Sequence, residues 1–223
     1  MASRDEPLAL KVAARFAKTG PARFHSHHDL MRFWERALRR ADWPLRRTAG
    51  FNPHPRLVFP HALGVGVAST VEEVEIELRE VRPLPALTAS LAPALAPTLR
   101  LVDLALLPPT RKGRVARQCA YRIDGWPEGF PRERLDGLVA ELVGRTEWIV
   151  ERGPPRERTK VDVRPYLAEA EARADDAGLW VRVALAHTER GAGRIDEVAR
   201  ALASATGLDA AALNLEKIAM TLE

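Results

Sequence analysis

An α+β chain built as two β-α-β-β-α-β lobes in tandem is what this sequence predicts, and three observations predict it. Apolar alternation with a period of two and apolar recurrence at helical spacing follow one another in that order through the first half. A basic, proline-rich stretch, Leu107-Pro-Pro-Thr-Arg-Lys-Gly-Arg114, then interrupts the pattern. The second half repeats the order in a looser form. Such tandem order is the ferredoxin-like pattern. The expected division is residues 1–107, a linker at 108–118, and residues 119–223.

The elements are expected as follows. Leu8 to Phe16 alternates, with Leu10, Val12, Ala14 and Phe16 inward and Lys11 and Arg15 outward. Ser26 with Asp29 three residues on forms a capping-box signal for a helix whose buried stripe is Leu30, Phe33, Trp34, Ala37, Leu38 and Ala41. Arg32, Arg36, Arg39 and Arg40 lie largely off that stripe. Two prolines and a glycine shape Gly50-Phe-Asn-Pro-His-Pro-Arg56 as a loop, and Leu57 to Phe59 is a short strand. Glu73 to Leu78 alternates strictly, predicting Val74, Ile76 and Leu78 inside and Glu73, Glu75 and Glu77 outside. A helix over Leu84 to Leu95, weakened by Pro93, and a strand over Leu99 to Leu106 complete the first lobe.

In the second lobe, strands are predicted at Cys119 to Ile123, Glu147 to Glu151, Leu179 to Ala186 and Leu215 to Leu222. Helices are predicted at Arg132 to Val143 and Ile195 to Ala203, and one or two helical turns at Ala168 to Ala174.

Composition narrows the function. Hydrophobic residues make up 46% of the 223, enough for a core, and no apolar run is long enough to span a membrane. Met1 to Pro7 has no apolar segment and does not read as a signal peptide. A single cysteine, Cys119, permits no intrachain disulfide, no iron–sulfur cluster held by this chain alone and no Cys-rich zinc site. A reducing cytoplasm and no cofactor are therefore expected. The net charge is only +4, but Met1 to Pro60 holds 12 Lys/Arg against 5 Asp/Glu, a local +7. That asymmetry points to an anionic partner, RNA foremost, against the plainer reading of a solvated arginine-rich surface.

Several residues could carry chemistry. Arg39, Arg40, Arg46, Arg47 and Arg56 fall within one supersecondary unit, and guanidinium forks bind phosphate in two-pronged fashion. Trp43 and Phe51 are either base-stacking groups or core residues. Asn52 and His54 share the proline loop with Phe51, and that loop is either a binding element or a rigid turn. Histidines cluster at His25, His27 and His28 and again at His54 and His61. His27, His54 or both are candidates for acid and base in metal-independent RNA cleavage. No i, i+4 histidine pair occurs, so no helical metal site is expected, although Asp29 and His54 would meet if the loop folded over the helix start. Lys160, Asp162 and Arg164 alternate on an extended stretch, and present either a polyanion contact or an inconsequential ion pair. There is no phosphate-binding GxxxxGK[ST] loop and no GxSxG elbow, and Cys119 reads as a small buried hydrophobe.

Four blocks resemble one family. Phe24-His-Ser-His-His-Asp-Leu-Met-Arg32 with Glu35 to Ala41, Gly50 to Leu57, Ala62 to Gly66 with Ser69 and Glu72, and Lys160 to Tyr166 are similar, in order, to the blocks of DUF2344. His28 departs from the apolar residue usual there. The resemblance implies a radical-SAM-associated protein, found alone or fused behind a B12-binding-type radical SAM protein. It thus implies a radical SAM partner and an RNA setting, tRNA or rRNA, and supplies no catalytic residue. An accessory RNA-binding role is expected first. The alternatives are an endonuclease and a docking module whose surface is the Glu73, Glu75 and Glu77 row.

Overall fold

The computed structural model describes residues 8–49, 51–108, 112–154 and 156–223. Met1 to Pro7, Gly50, part of the expected linker (Pro109 to Arg111) and Pro155 lie outside them. The chain is α+β and divides into two compact units, Met1–Val115 with Glu223, and Ala116–Leu222. Among the described residues no helix is long and apolar enough to cross a membrane.

The first unit runs β1 (Leu10–Lys18), α1 (His27–Arg40), β2 (Leu57–Val58), β3 (Val67–Leu78), α2 (Leu84–Leu91) and β4 (Leu101–Leu107). Its strands lie in the order β2-β3-β1-β4, and every neighbour is antiparallel. α1 begins as its sequence dictates. The Asp29 amide donates to Ser26 Oγ, and the Ser26 amide and hydroxyl donate back to the Asp29 carboxylate. It ends in a Schellman turn, in which the Trp43 and Asp42 amides donate to the Leu38 and Arg39 carbonyls. Asp42 adopts the left-handed φ of 54° that the turn needs, a place more often given to glycine. α2 stops at Leu91 rather than Leu95 because a 3-10 turn carrying Pro93 takes over.

One face of this sheet carries the core. Val12, Ala14, Phe16, Val74, Ile76 and Leu78 pack with Leu30, Trp34 and Leu38 of α1 and Leu87 and Leu91 of α2. The Phe16 ring meets the Trp34 ring edge-on at 4.9 Å.

The other face corrects the expectation of solvent. Glu73, Glu75 and Glu77 point away from the core as predicted, yet all three are buried, and so is Lys11. Lys11 Nζ lies 2.7 Å from Glu75 and donates to the Lys112 carbonyl. Arg114 reaches both Glu75, at 2.7 Å, and Glu73. Arg46 closes on Glu77 at 2.5 Å. The cover is the chain itself: Gly113 lies so close to Val58 that a Cβ there would stand 2.6 Å from a Val58 methyl carbon. Burial of the carboxylates would be costly alone, and each is matched by a cation instead.

The second unit runs β5 (Ala116–Asp124), α3 (Arg132–Gly144), β6 (Ile149–Arg152), β7 (Thr159–Asp162), β8 (Leu167–Asp175), β9 (Gly178–Thr188), β10 (Gly191–Ala192), α4 (Ile195–Thr206) and β11 (Asn214–Leu222). β8 pairs with β9, β9 with β5 and β5 with β11, all antiparallel, while β6 and β7 form a separate hairpin. The expected helical turns at Ala168 to Ala174 are strand β8. Alanine and glutamate favour helix, but their strict alternation has a period of two, and the Gly178 turn (φ 112°) folds the segment onto β9. Cys119 is fully buried on β5.

Two predictions follow from the buried charge row. Arg46→Ala strands Glu77 and lowers unfolding free energy by about 3–5 kcal/mol, whereas Arg46→Met with Glu77→Leu recovers most of the loss; denaturant titration reads both. Burial pushes the Glu75 carboxyl up, but Lys11 and Arg114 outweigh it and hold it below its ordinary 4.5. Its stabilisation is therefore complete above pH 4.5 and is lost as pH falls through the lower folded value. Glu75→Gln should flatten that acid limb of the stability–pH curve, and an unchanged limb would show that Glu75 does not set it.

Candidate nucleic-acid interface

The segment after α1 doubles back on itself as an arch. The Arg46 amide donates to the Glu77 carbonyl, and the Arg56 amide donates to the Arg46 carbonyl. Further out, the Thr48 amide donates to the His54 carbonyl at 2.9 Å, and the His54 amide to Thr48 Oγ1 at 3.0 Å. Arg47 Nη1 donates to the Pro53 carbonyl at 3.2 Å. Pro53 and Pro55 fix φ on the returning limb. The apex, Phe51, Asn52, Pro53 and His54, is exposed, and the Phe51 ring is fully so.

The arch stands beside the middle of α1. His54 Nδ1 lies 4.0 Å from the Glu35 carboxylate. Glu35 is flanked at i−3 and i+4 by Arg32 and Arg39, with Arg36 next to it, and these three arginines are exposed. Phe51, Asn52, His54, Arg39 and the half-buried Arg47 are thus gathered on one region of the first unit, together with Arg32 and Arg36, which were read only as lying off the buried stripe. The signal for those two was their offset from that stripe.

Other candidates belong elsewhere. Arg46 is buried against Glu77 and is a structural cation, not a phosphate contact. Trp43 is a core residue whose Nε1 donates to Ser90 Oγ at 3.1 Å. Arg40 is exposed, but its Nη2 donates to the Ala94 carbonyl at 2.6 Å. Arg56 is half-buried at the foot of the arch.

His27 and His54 are held at different places. His27 sits on the first turn of α1, its ring edge-on to Phe59 at 5.3 Å. Burial, then the nearby His28 and Lys18, holds its pKa below 6.5 and favours the neutral ring. His54 lies by Glu35, eight positions further along α1, which is about 12 Å of helix axis from His27. The two candidates thus stand against different turns of α1. Asp29 is occupied by the Ser26 cap and does not meet His54.

The Lys160-Val-Asp-Val-Arg164 motif, in the second unit, is built inward. Asp162 Oδ1 accepts from the Trp148 and Arg164 amides at 2.9 and 3.0 Å. The Arg164 guanidinium donates to the carbonyls of Arg145, Leu167 and Val143. Val143 and Arg145 stand at the C-terminal end of α3, where unsatisfied carbonyls favour a cation. Only Lys160 of this motif is exposed.

A family model described as an uncharacterised protein conserved in bacteria, DUF2344, matches residues 11–195. The chain belongs to the DUF2344 family. No curated protein matches the sequence. Among solved structures, a chain in the crystal structure of a Cbf5-Nop10-Gar1 complex is similar at a TM-score of 0.50 and 13% identity, over 94% of this chain and 48% of that one. The protein thus spans about half the length of the structure it matches, and the likeness is one of fold alone.

Arg164→Ala leaves three carbonyls without their donor. It should destabilise the second unit by about 2–3 kcal/mol, and a purified variant that unfolds like wild type would remove the structural role.

Proposed function

We propose that this DUF2344 protein is an RNA-binding accessory chain that presents RNA, of the tRNA or rRNA kind, to a radical SAM enzyme. The observation that carries the RNA reading is the juxtaposition of three exposed arginines, Arg32, Arg36 and Arg39, with an arch that holds an aromatic ring out of the fold. The local +7 charge of Met1 to Pro60 supports it. Lys160 would add a phosphate contact in the second unit. The radical SAM partner rests on the family resemblance.

Each unit, in this reading, is a ferredoxin-like lobe, with the boundary near 108–118. What supports this is the β-α-β-β-α-β order of the first unit and its antiparallel sheet order β2-β3-β1-β4. The second unit repeats it as β8-β9-β5-β11, with the β6–β7 hairpin inserted after α3.

The alternatives have less support. His27 and His54 stand against different turns of α1, which gives no support to their acting as a pair in cleavage, and no further observation favours either alone; docking through Glu73, Glu75 and Glu77 lacks an exposed face, because the row is buried and paired with cations.

Total tRNA and a pool of rRNA fragments, titrated at several salt concentrations, test the proposal. Arg32→Ala/Arg36→Ala/Arg39→Ala should weaken binding and make the log–log salt slope shallower by about 2. Failure of the wild type to bind either RNA at low salt would remove the reading.

A further inference from the structure

The arch apex bears on which part of an RNA is recognised, and the inference rests on the RNA reading above. Phe51 has no packing role: its ring is fully exposed at the tip of a segment whose limbs are tied to each other by hydrogen bonds. The foot of the arch is held to β3 through the Arg46 backbone and the Arg46–Glu77 ion pair. The ring is therefore presented on a hydrogen-bonded support and offers two free faces.

A free aromatic face stacks on a nucleobase only if that base is out of its own stack. In an A-form duplex the base faces are covered by their neighbours, and side chains reach mainly backbone and 2′-hydroxyls. Arg32, Arg36 and Arg39 extend over about 10 Å of α1, a row suited to a short run of backbone phosphates. Next to Phe51 in the chain is Asn52, which both donates and accepts hydrogen bonds, and among the arginines on α1 is the Glu35 carboxylate beside His54. A carboxylate there repels phosphate and accepts from base amino groups. The arrangement is apolar at the apex, hydrogen-bonding behind it and cationic along the helix, in the order face, edge and backbone of one unstacked nucleotide.

We infer that the first unit selects unpaired RNA, in a single strand or a loop, by stacking one extruded base on Phe51 while Arg32, Arg36 and Arg39 hold the adjoining phosphates. Duplex RNA meets only the arginines.

The test is an anisotropy titration of the full chain with a short, unstructured, fluorescein-labelled RNA strand and with the same strand annealed to its complement. The single strand is expected to bind more tightly. Phe51→Ala should weaken single-strand binding roughly tenfold, leave the salt slope unchanged and leave duplex binding alone, while Phe51→Trp retains single-strand affinity. Equal affinity for strand and duplex, with no effect of Phe51→Ala, overturns this inference but leaves the RNA-binding reading standing. Absence of binding to both overturns the two together.

Discussion

A row of charges, its glutamates buried, organises the first unit. Glu73, Glu75 and Glu77 alternate along β3 on the face opposite the apolar core, and Lys11, Arg46 and Arg114 answer them. Each cation comes from a different stretch: the neighbouring strand, the foot of the arch, and the segment that leads out of the unit. The row therefore does what an apolar second face would not. Loss of Arg46 or of Arg114 from its place would leave Glu77 or Glu73 without the cation it pairs with. The arch inherits its position from this, since Arg46 both pairs with Glu77 and forms backbone hydrogen bonds to β3 and to Arg56.

The division of labour between neighbouring arginines follows. Arg46 and Arg47 are identical in type and adjacent, but an extended chain sends them to opposite sides. One is buried in the ion row; the other lies half-buried within the arch and donates to Pro53. On α1 the same logic is helical. Trp34 and Leu38 enter the core, and Arg32, Arg36 and Arg39 stay in solvent on the turns between.

How far this was legible from sequence depends on whether the deciding partner is near in the chain. The Ser26–Asp29 cap, the helical stripe of α1 and the alternation of β3 are local, and each falls where periodicity places it. Alternation tells which residues share a face but not what covers the second face, so it places the glutamates outside without revealing that they are covered. The cover, Lys112 to Arg114, comes from some 35 to 40 residues later. The late motif failed in the same way. Asp162 and Arg164 are visible as a charged pattern, but their partners are backbone groups, reached from Trp148 and from the end of α3, which carry no side-chain signature. For β8, composition favoured helix, and the alternation together with the adjoining hairpin to β9 prevailed.

The arch also has a consequence for how the protein can change. Its closing hydrogen bonds use main-chain groups on both limbs, with Thr48 and Arg47 the side chains that add to them. Phe51 and Asn52 take no part in that closure. The tip is thus uncoupled from the scaffold that displays it, and its chemistry can be exchanged while the support stays the same. In that sense the first unit is a holder with a replaceable head: drift at Phe51 or Asn52 would change the exposed tip without the core or the buried ion row having to follow.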